Sequence, residues 1–359
     1  MDLPIYNYDD FENNFTDYNY SFYHVDELYP NIEQPIPPLS PVKVTALIIY
    51  VLVFLLGLPG NALVIWITAY KMKRTVSTMW FLNLAIADLL CCLSVPFSVM
   101  GIILRGHWPL GLFACKFIAS VLLVNMYASV LILAVISMDR CVLVIKPVWR
   151  ETYRLVKNAT LVCLMVWILA CVLASPSFIF RRTIVRSHNK ITCSMDYSLT
   201  GEDQAKVEML IAVFRFMLGF VIPFLFITVC YGVLVSGVNL KHSQSSKILR
   251  IIVDVIIVFF VCWFPYHVAG LILAAHPSHS DLYTSTIKVD SILISIAFTN
   301  SCINPIIYVL LGQDVKNKLK KSVKLVIQET LQLADELSKS LDSKNSKSTS
   351  ETKNMDTQV

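Results

Sequence analysis

The chain has 359 residues, of which 56% are hydrophobic and only 15% charged, and its mean hydropathy is +0.63. Soluble globular chains carry about 25% charged residues, so this composition excludes a soluble globule and indicates an integral membrane protein. The net charge of +5 comes from basic residues clustered beside apolar segments, where they orient a membrane protein, and nucleic acid is excluded as a partner on that ground.

Residues 1–42 form an acidic tail with no Lys or Arg and eight acids (Asp2, Asp9, Asp10, Glu12, Asp17, Asp26, Glu27, Glu33). No cleavable signal peptide is visible in its polar first 30 residues. Apolar runs follow at 44–69, 78–103, 112–139, 159–180, 208–236, 248–275 and 286–311. Each is long enough for a helix of about 20 residues to cross a bilayer. The linkers 70–77, 140–158 and 237–250 concentrate Lys71, Lys73, Arg74, Arg140, Lys146, Arg150, Arg154, Lys157, Lys241, Lys247 and Arg250. Positive charge stays on the cytoplasmic side, so the N-terminus is expected outside and the C-terminus inside.

Two glycosylation sequons, at Asn14 and Asn19, lie in the outer tail and agree with that topology, whereas Asn158 falls on the cytoplasmic side and should be silent. Of ten cysteines, eight lie in or at the ends of apolar runs and read as small buried side chains. Cys115, at the outer end of the third run, and Cys193, in the loop 181–207, are placed to form an extracellular disulfide.

Several polar residues interrupt the apolar runs. Asp88 is an intramembrane carboxylate and is expected to face the bundle interior. Asn125 and Ser129, four apart, share one helix face, while Asn300, Ser301 and Asn304 offer oxygens from the seventh run. Two accounts fit this set: a site for a small hard cation such as sodium, or a hydrogen-bonded packing network with water. Pro223, Pro265 and Pro305 permit kinks in the last three runs, and Phe259, Phe260 and Trp263 sit just before Pro265, as core packing or as a hinge lever. Asp139 and Arg140 close the third run; they are either an interfacial pair with a snorkelling arginine or a releasable ion pair that locks the inner face. Arg250, one turn from Asp254, is its expected partner.

Arg215 stands mid-membrane in "IAVFRFMLGF", where insertion scales disfavour arginine by roughly 2.5–3.5 kcal/mol. Glu208 lies seven residues earlier on the same helical face, about 10 Å shallower. With Asp290 near the outer end of the seventh run and Tyr266 just after Pro265, Arg215 can converge on a pocket open to the outside. The plainer account is an Arg215–Asp290 salt bridge that only joins helices. A transporter or channel is the rival class, but no internal repeat is readable; an intramembrane enzyme lacks a nucleophile with a base, or a metal-ligand set.

The motifs "GNALVIW", "LNLAIADLL", Cys115 with Cys193, "DRC", Trp167, "CWFPY" and "NPIIY" fall one set per run. In that order they resemble the class A (rhodopsin-like) G protein-coupled receptors over residues 40–325. "NMYASVLILAVISMDRC", "HWPLG", "FRFMLGF" and "SCINPIIY" are most similar to the complement component 5a anaphylatoxin receptors, relatives of the component 3a, formyl-peptide and chemerin receptors.

The resemblance implies an all-α membrane protein, a seven-helix bundle over 43–311 with a short amphipathic cytoplasmic helix at 312–325 and a Ser/Thr-rich tail at 326–359. It implies no catalysis and no cofactor beyond a sodium ion. The third motif reads Asp-Arg-Cys rather than Asp-Arg-Tyr, and "ADLLCCLS" and "SKSTS" are similar to a decoy-type relative, yet Arg140, which that relative lacks, is present; the choice between signalling receptor and decoy rests on Arg140 and Tyr308. By similarity Arg215 receives the ligand's terminal carboxylate and Asp290 its terminal arginine, with Arg181, Asp196 and Glu208 at the rim and Tyr266 beside them. Asp139, Arg140, Trp263 and Tyr308 are the implied switch. Expected partners are component 5a or a related basic peptide, a heterotrimeric G protein, arrestin and membrane lipids, at the plasma membrane. Tyr6, Tyr8, Tyr18 and Tyr20 stand near acids, as sulfated tyrosines do in related receptors. Ser338, Ser340, Ser343, Ser346, Ser348, Thr349 and Ser350 are the expected phosphorylation sites for arrestin.

Overall fold

The computed structural model describes residues 38–145, 154–186, 189–237 and 243–311. The acidic tail with Asn14, Asn19 and its tyrosines, the helix expected at 312–325 and the Ser/Thr-rich tail lie outside the described residues, as do the side chains of Tyr308 and Arg250.

Among the described residues seven helices are long and apolar enough to cross a membrane: Pro41–Lys71, Val76–Ile103, Gly111–Leu143, Val156–Phe180, Ser198–Leu234, Ile252–Ala275 and Asp281–Ile306. They are called here the first to seventh spans. Inside hydrocarbon each backbone N–H and C=O must be satisfied within the protein, and uninterrupted helices accomplish this segment by segment. Their starts carry local signals. Ser40 caps the first span, accepting from the Lys43 N–H, with Pro41 in the first turn, where its missing N–H costs nothing. Thr75 and Thr78 form a reciprocal capping box at the second.

The outer faces carry exposed apolar side chains such as Leu55, Leu164 and Val229, suited to contact lipid. Trp263, Phe259, Phe298 and Leu133 are almost completely buried between the helices. Because lipid is as apolar as the core, close approach is what holds such helices together. A Cβ on Gly57 would lie 2.5 Å from the Cys92 sulfur and 3.2 Å from Cys302 Cβ, so only glycine lets the first span seat against the second and seventh. Trp167 donates from Nε1 to Asn83 Oδ1 at 3.0 Å and ties the fourth span to the second.

Two features depart from straight helices. Residues Ile67–Lys71 and Met217–Val221 each form a π turn, the second lying between Arg215 and Pro223 in the fifth span. The segment after the fourth span is a two-stranded antiparallel hairpin, β1 (Arg181–Val185) and β2 (Ile191–Met195), with Thr183 opposite Cys193. Cys193 is disulfide-bonded to Cys115 at the start of the third span, with Cα atoms 5.6 Å apart. The Trp108 N–H donates to Ile191 O at 2.7 Å, so the connection between the second and third spans braces the same hairpin. Gly106 and Gly111 take positive φ in that connection (85° and 75°), a conformation natural to glycine.

Candidate functional site

Beneath the hairpin the helices enclose a cavity of about 620 Å³. Its walls are mostly apolar, with Phe97, Leu122 and Phe298 among them, and its polar groups include Arg181, Arg215, Tyr266 and Tyr127. Three of the four come from different spans and Arg181 from β1, so the tertiary fold alone brings them together.

Arg215 is half-buried and incompletely matched. One Nη1 hydrogen bond reaches the Tyr266 hydroxyl at 3.3 Å, and the guanidinium also lies against the Tyr266 ring, 5.1 Å from its centroid. Its Nε is buried without an acceptor. Nη2 stands so close to Gly270 that any side chain there would displace the guanidinium. A guanidinium has five donors and no acceptor, so a tyrosine hydroxyl and a ring face satisfy only part of it.

The Arg215–Asp290 salt bridge expected from helix packing does not form: no ion pair joins the two described side chains. Asp290 is half-buried in the seventh span, outside the cavity lining, where the fields of both Arg181 and Arg215 reach it. Glu208, also half-buried and outside the lining, feels the field of Arg215 but does not bond it. Burial pushes the Arg181 guanidinium below its ordinary range; Tyr266, Tyr197 and Asp290 oppose that shift, and the nearby Arg215 adds to it. Asp196 sits at the rim, its Oδ1 accepting from the Ser198 N–H at 2.9 Å, a bond that holds its carboxyl below the usual carboxylate range. Two cations thus face the cavity while the acids stand back from it, which suits an incoming carboxylate held by a bidentate guanidinium contact.

Deeper in the bundle the polar set divides. Asn304 Nδ2 donates to Asp88 Oδ2 at 2.8 Å, and Asn125 Nδ2 donates to Ser301 Oγ at 3.3 Å while Asn125 Oδ1 accepts from Ser129 at 3.5 Å. Asn61, absent from the expected set, donates to the Ser301 carbonyl at 2.7 Å. Both polar atoms of the Asn300 amide are buried without partners, so it does not join this network. Asp88 Oδ1, Asn61 Oδ1 and Asn304 Oδ1 are buried acceptors with no donor. Oxygen-rich and acceptor-biased, the group has donor chemistry that fits a hard cation as well as water.

Toward the opposite end Trp263 is fully buried, edge-on to Tyr266 at 5.6 Å and in contact with Phe259 at 6.1 Å. At the far end the expected Asp139–Arg140 pair is replaced. Asp139 binds Arg154 in two parallel hydrogen bonds, Nε to Oδ1 at 2.8 Å and Nη2 to Oδ2 at 3.0 Å. Arg140, adjacent in sequence on the same helix, turns instead to Ser77 Oγ at 2.8 Å. The bidentate fork from Arg154 satisfies both carboxylate oxygens, a geometry that a neighbouring residue on one helix cannot match as well.

Sequence reasoning also passed over His267, buried beside Phe216 and Phe220 with neither ring nitrogen bonded, and Gly270. His267, one residue past Tyr266 in an apolar helix, was visible as a polar interruption of the kind that marked Arg215.

Residues 60–308 match the model of the 7 transmembrane receptor (rhodopsin family). The C3a anaphylatoxin chemotactic receptor of Danio rerio is 45% identical over 289 residues, covering 80% of this chain and 78% of the relative. The C5a anaphylatoxin chemotactic receptor 1 of Rattus norvegicus is 43% identical over 309 residues (84% and 87%), and that of Homo sapiens 41% over 292 (80% and 82%). Seven apolar spans, a disulfide-pinned hairpin over a charged cavity and these relationships lead to one conclusion: the chain is a receptor rather than an enzyme, and it belongs to the rhodopsin family of seven-transmembrane receptors, in its anaphylatoxin chemotactic receptor group.

Proposed function

We propose that this protein is a plasma-membrane receptor for complement component 5a that signals through inhibitory-class G proteins to calcium release and chemotaxis. The observation that carries the proposal is Arg215: a half-buried guanidinium lining the cavity, with an unmatched Nε and no ion pair to Asp290. A basic peptide ending in arginine supplies both missing groups, its carboxylate for Arg215 and its guanidinium for Asp290. The acidic tail, with sulfation at Tyr6, Tyr8, Tyr18 and Tyr20, steers the cationic body of the ligand.

In this reading the tail is extracellular and glycosylated at Asn14 and Asn19, and the Arg140 end is cytoplasmic, in keeping with the basic linkers on that side. A sodium ion at Asp88, Asn125, Ser129 and Asn304 stabilises the resting state. Phosphorylation of the tail from Ser338 to Ser350 recruits arrestin. The presence of Arg140 favours a signalling receptor over a decoy.

Component 3a is the second ligand candidate, favoured by the 45% identical relative from Danio rerio. Calcium release in transfected cells exposed to component 5a, component 3a and a formyl peptide tests the choice. The expected result is a response to component 5a at the lowest concentration. A stronger response to component 3a reassigns the ligand, and silence toward both contradicts an anaphylatoxin function.

A further inference from the structure

Ser77 lies in the first turn of the second span, and its hydroxyl oxygen accepts two hydrogen bonds: from Arg140 Nη2 at 2.8 Å and from Arg154 Nη2 at 3.0 Å. A serine oxygen has two lone pairs, so both are engaged. Two guanidinium groups sharing one small acceptor repel each other unless one is neutralised. The Asp139 carboxylate does this, holding Arg154 through Nε and Nη2 in a pair whose side chains are only 6% and 15% exposed. Arg154 lies two residues before the fourth span, and Asp139 and Arg140 belong to the third. One hydroxyl therefore joins the second span, the third span and the entry to the fourth.

The site is built to stay in place. The capping box of Thr75 and Thr78, bonded both ways at 2.7 and 3.2 Å, fixes the backbone on either side of Ser77. Thr78 Oγ1 also donates to the Thr75 carbonyl at 2.8 Å. Arg140 Nε is buried with no acceptor, so among the described residues Ser77 anchors that guanidinium, and the neighbouring Asp139 carboxylate is taken up by Arg154.

We propose that Ser77 and Arg154 are positioning residues that hold Arg140 against the second span, and that this clamp sets the resting level of G protein activation. Arg140 is free to enter a G protein cleft only when the Ser77 bond breaks. Asp139 stays occupied by Arg154 and does not recapture it. The proposal rests on the reading that Arg140 faces the G protein, but not on which anaphylatoxin is the ligand.

The test is agonist-independent nucleotide exchange on an inhibitory-class G protein by the full-length receptor in cell membranes, normalised to surface receptor number. Losing a hydrogen bond to a charged group shifts a two-state equilibrium by about tenfold, so Ser77→Ala should raise basal exchange severalfold. Arg154→Ala leaves the Ser77 bond in place and frees Asp139 to pair with Arg140, so it should not raise basal exchange. Ser77→Thr keeps the hydroxyl and should stay at the wild-type level. In the double alanine variant the freed Asp139 takes Arg140, so its basal exchange should fall below that of Ser77→Ala. Should Ser77→Ala reach the surface poorly, Ser77→Gly carries the same expectation. Unchanged basal exchange in Ser77→Ala, with a normal maximal response to component 5a or component 3a, overturns the clamp alone. So does a Ser77→Thr receptor as active as Ser77→Ala. A wild-type receptor that drives no exchange with either anaphylatoxin overturns the proposed function and the clamp with it.

Discussion

Gly270 decides where the Arg215 guanidinium can go. A methyl group at that position would collide with Nη2, the far end of a flexible side chain, so the helix can accept alanine and Arg215 must move. Replacing glycine within a helix also favours the folded chain by about 0.5–1 kcal/mol. Gly270→Ala should therefore reach the surface at least as well as wild type, yet lose about tenfold or more in ligand potency, the worth of one charge-assisted hydrogen bond. Equal potency in dose–response curves would show that the guanidinium position does not matter. Residues of this kind were the least legible in the sequence. Arg215, Asp88 and Asp290 stand out because a charge interrupts an apolar run. Gly270 and Ser77 are ordinary in isolation, and their roles come from side chains that approach from other spans. Asp139 shows the converse: its sequence neighbour Arg140 is the obvious partner, and a better-shaped fork from Arg154 takes it.

At the scale of elements, hydropathy located all seven spans because the bilayer demands about 20 apolar residues from each. Their ends were less visible. The fifth helical span begins at Ser198 and the seventh at Asp281, ahead of the apolar runs at 208 and 286, because helices continue past the hydrocarbon on capping and polar turns. The π turn at Met217–Val221 left no clear signal, since one extra residue per turn does not alter hydropathy. The hairpin lies within the polar loop 181–207 and carries no hydropathy signal, although its Thr183, Ile184, Val185, Ile191 and Thr192 are β-branched and suit strands. Its position over the cavity depends on Cys115–Cys193 and on the Trp108 bond to Ile191. Cys193→Ser should free β2 from the third span and reduce ligand binding on intact cells to background. Normal affinity in a binding isotherm would mean that the Trp108 brace alone positions Arg181.

Across the whole molecule the cavity and the clamp lie at opposite ends of one bundle. Between them run Tyr266, Trp263 and Phe259, in successive ring contact at 5.6 and 6.1 Å, on either side of Pro265 in the sixth span. Arg215 touches the first of these rings, so a ligand carboxylate that draws the guanidinium away from Tyr266 changes the packing at the head of that column. On the proposed function Arg215 awaits a ligand group and does not merely join helices. The most direct test is a double-mutant cycle that crosses wild type and Arg215→Ala with peptides ending in a free or an amidated carboxyl group, read as nucleotide exchange. The expected result is normal surface expression of the variant, a large loss of response to the free-carboxyl peptide, little difference with the amidated one, and a coupling of at least about 1.5 kcal/mol. Coupling below about 0.5 kcal/mol, within the error of independent sites, would contradict it.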